Sequence, residues 1–274
     1  MSRTLARLIA RIGRVLASPL SGSRRTIALA HASDIIAPVW TVQTSRGPIR
    51  FHCPTSRAAL DPINFFKEEP ETVRWIEEVV SDGSCFWDIG ANVGTYALFA
   101  ALKPKMEVIA FEPSAQTYAT LNRNIELNGL GERVKAYCIA LSEKTEAAAF
   151  HMASTGSGHS MHSFGARENV YGAFTPAFSQ AMIGFSADEF RRIFSLRQPD
   201  HIKLDVDSIE LPILRGARET LKKVKTLMVE IEFPKSPEAS KAAIRKELDA
   251  QGFREDRQFN GGAGRNRLFV NANS

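Results

Sequence analysis

The sequence predicts an α/β protein: a doubly wound, mostly parallel sheet with a closing antiparallel strand pair. Three observations predict it. From residue 85 to 251, short apolar runs alternate with helical segments, as in βαβ units. A glycine-bearing turn, Gly90-Ala91-Asn92-Val93-Gly94, carries the first of these runs into a helix. Two final apolar runs, 253–258 and 267–270, flank a turn containing Asn260-Gly261-Gly262 and suit an antiparallel pair.

The elements follow in order. Runs 39–44 and 49–53 flank Ser45-Arg46-Gly47-Pro48 and predict a small hairpin. Residues 70–80 predict a helix with Pro70 near its start. Strand 85–89, helix 95–102, strand 107–111, helix 115–128 and strand 133–140 then alternate. The pattern breaks at 153–182, a stretch rich in Gly, Ser, His and Phe with no clear period, where a long functional loop is expected. Alternation resumes with strand 201–206, helix 211–223, strand 226–231 and helix 237–251. The expected division is a basic arm over 1–25, a hairpin and helical preamble over 26–82, and the α/β domain over 83–274.

Apolar residues make up 44% of the 274 and charged ones 24%, ordinary for a globular protein. No apolar stretch approaches the roughly 20 residues needed to span a bilayer. Cys53, Cys85 and Cys138 are few and scattered, which suggests neither a disulfide framework nor a zinc site and points to a cytoplasmic setting. The net charge of +5 is local. Residues 1–25 hold six arginines and no acid, and the rest of the chain carries 29 basic against 30 acidic side chains. With no basic excess on the folded part, no nucleic-acid partner is expected.

Within the arm, Leu5, Leu8, Ile9, Ile12, Val15 and Leu16 fall in an arc of about 120° on a helix, with Arg3, Arg7, Arg11 and Arg14 on a separate arc. Such a helix suits peripheral contact with a membrane surface through residues 3–16. Packing on the domain or on a second subunit, and an organelle transit peptide, share the pattern. A secretory signal does not, because arginines interrupt the apolar run throughout.

The strongest chemical signal is Asp88-Ile89-Gly90-Ala91-Asn92-Val93-Gly94, with Glu112 and Pro113 ending the next strand 18 residues after Gly94. In doubly wound sheets ligands bind beyond the carboxyl ends of the strands, and a carboxylate on the second strand can accept both ribose hydroxyls. The dinucleotide fingerprint needs a glycine where Asn92 stands, and Asp88 would repel a pyrophosphate while suiting an ammonium group. No Gly-Lys-Ser/Thr follows, so a P-loop is excluded.

These residues, together with Lys203-Leu204-Asp205-Val206-Asp207-Ser208-Ile209-Glu210, Leu214-Arg215-Gly216-Ala217 and Val229-Glu230-Ile231-Glu232, resemble the FkbM family of S-adenosyl-L-methionine (SAM)-dependent methyltransferases. The resemblance implies a Rossmann-like class I methyltransferase fold and O-methylation of a hydroxyl on a glycan, glycolipid or natural product, leaving S-adenosyl-L-homocysteine. It assigns Asp88, Gly90, Asn92 and Gly94 to the methionyl end and Glu112 to the ribose, puts Ala140 and Leu141 near the adenine, and counts Ala91 and Pro113 among the cofactor-binding residues. The sequence departs from the family's second signature at Asp207, Ser208 and Ile209, which leaves the acceptor and the acid–base roles open.

Methyl transfer from a sulfonium needs an aligned nucleophile and a place for one proton. Asp205, Glu210 and His159 are the catalytic candidates, with Glu230 and His162 behind them. Asp207 or Ser208 could instead cap the following helix with Glu210 completing a capping box, or Asp205, Asp207 and Glu210 could hold a hard cation; no metal is expected. An NAD(P)-dependent oxidoreductase on a related fold and a non-catalytic SAM-binding scaffold remain as alternative functions.

Overall fold

The computed structural model describes residues 2–169, 171–207, 209–231, 237–261 and 264–273. The chain divides into two compact units, 1–39 and 40–274. The first unit holds α1 (Ser2–Leu16) and α2 (Gly22–Ile36). Leu, Arg and Ala, all good helix formers, dominate α1. Past its end, Arg25 donates Nε to the Ala17 carbonyl at 3.3 Å and Nη2 to that of Ser18 at 2.5 Å, serving carbonyls the helix cannot pair. Among the described residues, no helix is long and apolar enough to cross a membrane.

The second unit opens with the hairpin β1 (Val39–Thr44) and β2 (Gly47–His52), then α3 (Ser56–Ile63), α4 (Phe65–Glu68) and α5 (Pro70–Glu78). Thr55 caps α3 by accepting the Ala58 N–H at 3.0 Å, and Pro70 opens α5, where a missing N–H costs nothing. Then come β3 (Cys85–Ile89), α6 (Thr95–Ala101), β4 (Glu107–Phe111), α7 (Ala115–Leu127) and β5 (Val134–Tyr137). A strand-rich stretch follows: β6 (Ala140–Ser142), β7 (Glu146–Met152), β8 (Ser163–Phe164), β9 (Glu168–Asn169), β10 (Gly172–Ala173) and β11 (Phe178–Ser186), leading into α8 (Ala187–Ile193). The chain closes with β12 (His201–Leu204), α9 (Glu210–Arg215), α10 (Arg218–Leu221), β13 (Thr226–Glu230), α11 (Glu238–Ala250), β14 (Phe253–Glu255) and β15 (Asn266–Asn271).

The main sheet has seven strands in the order β14-β15-β13-β12-β3-β4-β5. β13, β12, β3, β4 and β5 run parallel, and β15 is antiparallel to both its neighbours. This is the Rossmann-like class I methyltransferase architecture expected above. Strand order reverses between β3 and β12, so the crevice for a ligand opens at their carboxyl ends. β3 is buried along its whole length because both faces are covered. Cys85, Trp87 and Ile89 pack with Phe111, Leu204, Phe190 and Ile213; Phe86 packs on the other side with Trp75, Leu98, Val108 and Leu121. Each such aromatic or aliphatic side chain contributes about 1.5–3 kcal/mol by leaving water.

Three elements differ from expectation. The strand anticipated over 133–140 divides: 134–137 stays in the main sheet, while Ala140–Ser142 joins a second sheet of order β6-β11-β7-β8. That sheet takes up 163–164 and 178–182 of the stretch 153–182, and β9 pairs with β10 inside it, so short strands interrupt the expected loop. β11 pairs with β7 over seven positions, from Phe178–Met152 to Gly184–Glu146. Its alternation was hidden because most of β11 is solvent-accessible and carries mixed side chains. The helix expected over 211–223 breaks at Gly216, where a Cβ would stand 2.2 Å from the Ser142 carbonyl oxygen. The two backbones pass too closely there for any other residue.

Candidate active site

β3 brings Asp88 to its carboxyl end, opposite Lys203 in the β3–β12 register, and the chain then turns sharply. Gly90 (φ +87°) and Asn92 (φ +49°) are both left-handed. A Cβ on Gly90 would lie 1.8 Å from the Asp205 carbonyl oxygen, so glycine alone lets the turn nest against the end of β12. The N–H groups of Gly90 and Ala91 both donate to the Phe111 carbonyl at 3.0 Å, pinning the turn to the end of β4. Glu112, the next residue, accepts the Asn92 N–H at 3.0 Å on Oε2 and the Ser114 N–H at 2.8 Å on Oε1.

One cleft gathers Asp88, Gly90, Ala91, Asn92, Glu112, Pro113, Ala140, Leu141, His159 and Asp205. Two expected residues stand apart from it. Gly94 (φ +90°) begins α6, and a Cβ there would meet the Leu121 and Leu98 side chains rather than the cleft. Glu210 is buried and turns back toward the Val206 N–H at 3.4 Å, away from the cleft lining. The capping alternative fails for Asp207: α9 has no side-chain cap at its N-terminus, and Asp207 Oδ2 accepts the Met161 N–H at 2.8 Å instead. Asp205, Asp207 and Glu210 are thus committed to different partners. Among the described residues, no group of three or more His, Cys, Asp or Glu side chains is arranged to hold a metal ion. Ser208 and Glu232 lie outside the described residues.

Four participants were missed. Lys203 is 2% exposed, with Nζ 2.6 Å from Asp205 Oδ2, 3.5 Å from Glu69 Oε2 and 5.0 Å from the centre of the Tyr96 ring. A signal for it existed: Lys203 and Asp205 are two apart at a strand end and share a face. Glu69, just before α5, accepts hydrogen bonds from Thr72 Oγ1 at 2.8 Å and Asn266 Nδ2 at 3.1 Å. Arg265 lies 3.5 Å from Glu230 Oε1. Arg57, paired with Asp61 at 3.1 Å, also lines the cleft. No local pattern marks these three, because tertiary packing brings them in from distant segments.

The charge of the cleft is one-sided: among the described residues, eight carboxyl side chains line it against three lysine or arginine side chains. Burial pushes Asp88 up to about 6, partly offset by the attraction of Lys203. Burial likewise pushes Glu112 up to about 7, resisted by the two N–H donors that hold it. For Asp205 burial acts upward too, but the charge and hydrogen bond of Lys203 outweigh it and the carboxyl stays below its ordinary range. Its neighbour Glu230, desolvated and facing the Asp205 charge, rises to about 10. Glu230 is therefore protonated at neutral pH and donates a hydrogen bond to Asp205.

Among the described residues, three buried acceptors in this cleft have no hydrogen-bond partner: both carboxylate oxygens of Asp88, and Asn92 Oδ1. A buried acceptor set of this kind fits a ligand that presents N–H donors or positive charge. Apolar side chains of Phe111, Ile139, Leu141, Ile209 and Ile213 line the same cleft. His162 is buried, accepts the Ala153 N–H on Nδ1 at 3.2 Å and is driven down to about 4 by burial. It is neutral, with its proton on the unpartnered Nε2.

The family model for the methyltransferase FkbM domain matches residues 88–255, which spans this site. The chain belongs to that family. A hexuronic acid methyltransferase, AglP, of Haloferax volcanii is 25% identical over 175 residues, covering 64% of this chain and 67% of the relative. Methyltransferase 1 of Beauveria bassiana is 28% identical over 152 residues, 55% of each. Among solved structures, a methyltransferase FkbM from Methylobacillus flagellatus KT superposes with a TM-score of 0.48 at 15% identity, over 78% of this chain and 51% of that one. This chain therefore spans only about half the length of the latter two proteins.

Proposed function

We propose that this chain is a SAM-dependent O-methyltransferase acting on a hydroxyl of a glycan, glycolipid or natural product. The observation that carries the reading is the pair of strand-tip carboxyls. Asp88, with both oxygens unpartnered, stands ready for the methionyl ammonium, and Glu112, fixed by two backbone donors, stands ready for the ribose hydroxyls. The acidic excess favours a ligand carrying ammonium and sulfonium charge and disfavours the pyrophosphate of a nicotinamide dinucleotide. Leu141, Ile139 and Ile213 supply an apolar slot suited to adenine.

When bound, SAM supplies an activated methyl group. The protein's own work is then alignment and proton handling. Asp205, kept ionised by Lys203, can accept a hydrogen bond from the acceptor hydroxyl and hold its oxygen in line. The hydroxyl becomes strongly acidic as its oxygen forms the new bond, so even a weakly basic carboxylate such as Asp205 suffices to take the proton late. Glu230 spreads the Asp205 charge through its shared proton, and His159 lies on the same cleft as a second proton acceptor.

Calorimetry with S-adenosylhomocysteine tests the cofactor reading. Wild type is expected to bind at micromolar concentration, and Asp88→Asn and Glu112→Gln each to weaken binding by roughly ten- to a hundredfold. Micromolar NAD binding without S-adenosylhomocysteine binding would reverse the assignment to an oxidoreductase. Methyl transfer to a panel of neutral sugars, uronic acids and polyketide alcohols, compared between wild type and Asp205→Ala, tests the reaction. A wild type that binds the cofactor yet turns over nothing on that panel favours the scaffold alternative.

A further inference from the structure

The helix α1 separates its apolar and basic side chains more sharply than the other described helices of nine or more residues. Leu5, Leu8, Ile9, Ile12, Val15 and Leu16 are all exposed, by 48–75% of their surface. They form one continuous stripe. Six large apolar side chains in one exposed patch are unusual on a soluble surface and mark a docking face. Arg3, Arg7, Arg11 and Arg14 occupy a separate arc of the same helix, and among the described residues none of them is ion-paired. The small residues Ala6, Ala10 and Gly13 fill the gap on one side between the two arcs.

We propose that α1 is a reversible anchor that lies flat in the interface of an anionic lipid bilayer, its leucine and isoleucine stripe among the acyl chains and its arginines among the phosphates. Charge decides between occupants. Residues 1–25 contain six arginines and no acid, so a second copy of the arm would meet the first with like charge beside the seam, where paired helices carry opposite charges. An anionic headgroup layer complements the arginine arc and admits the stripe at once. Arginine stems adjoining the apolar arc can extend outward to the phosphates. Fifteen residues make a helix about 22 Å long, short of the roughly 30 Å hydrocarbon core, so the helix lies on the bilayer rather than across it. The proposal does not depend on what the cleft binds.

Flotation of the full chain with vesicles tests it. Vesicles of phosphatidylcholine with about one third phosphatidylglycerol are expected to carry at least fivefold more protein than phosphatidylcholine alone, with most of the gain lost in about 0.5 M salt. Replacing Leu8→Glu and Ile12→Glu together is expected to cut the bound fraction about tenfold on the anionic vesicles. Both side chains are exposed, so the thermal transition of the double variant should match wild type and separate lost docking from lost folding. Wild type left at the bottom of the gradient, equal binding to both vesicle types, or full flotation of the double variant would each overturn the proposal. So would a concentration-dependent dimer, seen by light scattering without vesicles and abolished by the same two changes, because the stripe would then belong to a second copy.

Discussion

Met161 donates its backbone N–H to Asp207 Oδ2 at 2.8 Å, and both residues hold left-handed backbone, at φ +65° and +67°. Two non-glycine residues in that region store strain of order 1–3 kcal/mol each, sustained only where the surroundings over-determine it. Other ties lie along the same segment. Asn169 Nδ2 donates to the Met161 carbonyl at 3.0 Å, Ser157 Oγ to Thr120 Oγ1 at 2.7 Å, and Thr55 Oγ1 to the Ser157 carbonyl at 2.7 Å. These ties hold the segment at Ser157 and Met161, and its residues His159, Ser160, Met161 and His162 line the cleft.

This clasp predicts a difference between two substitutions at one position. Asp207→Asn retains an acceptor oxygen and tolerates left-handed backbone, whereas Asp207→Ala loses both. Amide exchange across residues 155–165 should quicken at least tenfold in Asp207→Ala and change little in Asp207→Asn. Equal protection in both would show that the ties at Ser157 and Asn169 hold the segment unaided.

The two glycines of the turn between β3 and α6 should differ in what they tolerate. A Cβ at Gly90 meets backbone, the Asp205 carbonyl at 1.8 Å, while one at Gly94 meets the tips of Leu121 and Leu98 at 2.5 and 2.6 Å, which can move. Both positions are left-handed, so each alanine carries roughly 1–2 kcal/mol of backbone strain. Gly90→Ala should cost about 3 kcal/mol or more and displace Asp205, and Gly94→Ala about 2 kcal/mol. Urea denaturation ranks them; equal losses would discount the close approach at Gly90.

Gly90, Asp88 and Glu112 were legible because their signal is local: a carboxylate and glycines at the tips of successive strands, at a spacing one βαβ unit imposes. The parallel strands of the main sheet were legible for the same reason, being short and apolar with helices between most of them. The second sheet was not. β11 reaches back past an irregular stretch to pair with both β7 and β6, and long-range pairing with one solvated face leaves little periodicity. Spacing in a motif does not fix where a carboxyl turns: Glu210 serves the Val206 N–H and is not among the residues lining the cleft. Glu69 could not be found from local pattern, since it meets Lys203 only when α5 packs against the main sheet.

Lys203 should prove more costly to remove than any surface lysine. It faces Asp205 and Glu69 directly and draws Asp88 downward from the adjacent strand. Lys203→Met leaves these buried carboxyls with no cation between them, at a cost of about 3–5 kcal/mol. The loss should be largest near pH 8 and shrink by pH 5.5, where the carboxyls can take up protons instead. Denaturation at the two pH values checks this; a loss independent of pH would mean that Lys203 acts through packing alone.

The same carboxyls predict how stability and binding vary with pH. Asp88 and Asp207 sit near 6, and Glu69, Glu112 and Glu210 near 7, against ordinary values of 3.8 for Asp and 4.5 for Glu. Each is raised in the fold, so the folded chain holds more protons than the unfolded chain between about pH 4.5 and 7, and its stability falls as pH rises through that window. His162 and His201, both lowered to about 4, act oppositely but are outnumbered. A ligand that places an ammonium group beside Asp88 should reverse the penalty by drawing that carboxyl back down. S-adenosylhomocysteine affinity is therefore expected to rise roughly fourfold from pH 5.5 to 7.5, with proton release on binding, while the ligand-free melting temperature declines over the same range. Calorimetry in buffers of different ionisation enthalpy counts those protons directly. Binding without proton release near pH 6 would mean that the ammonium does not sit against Asp88.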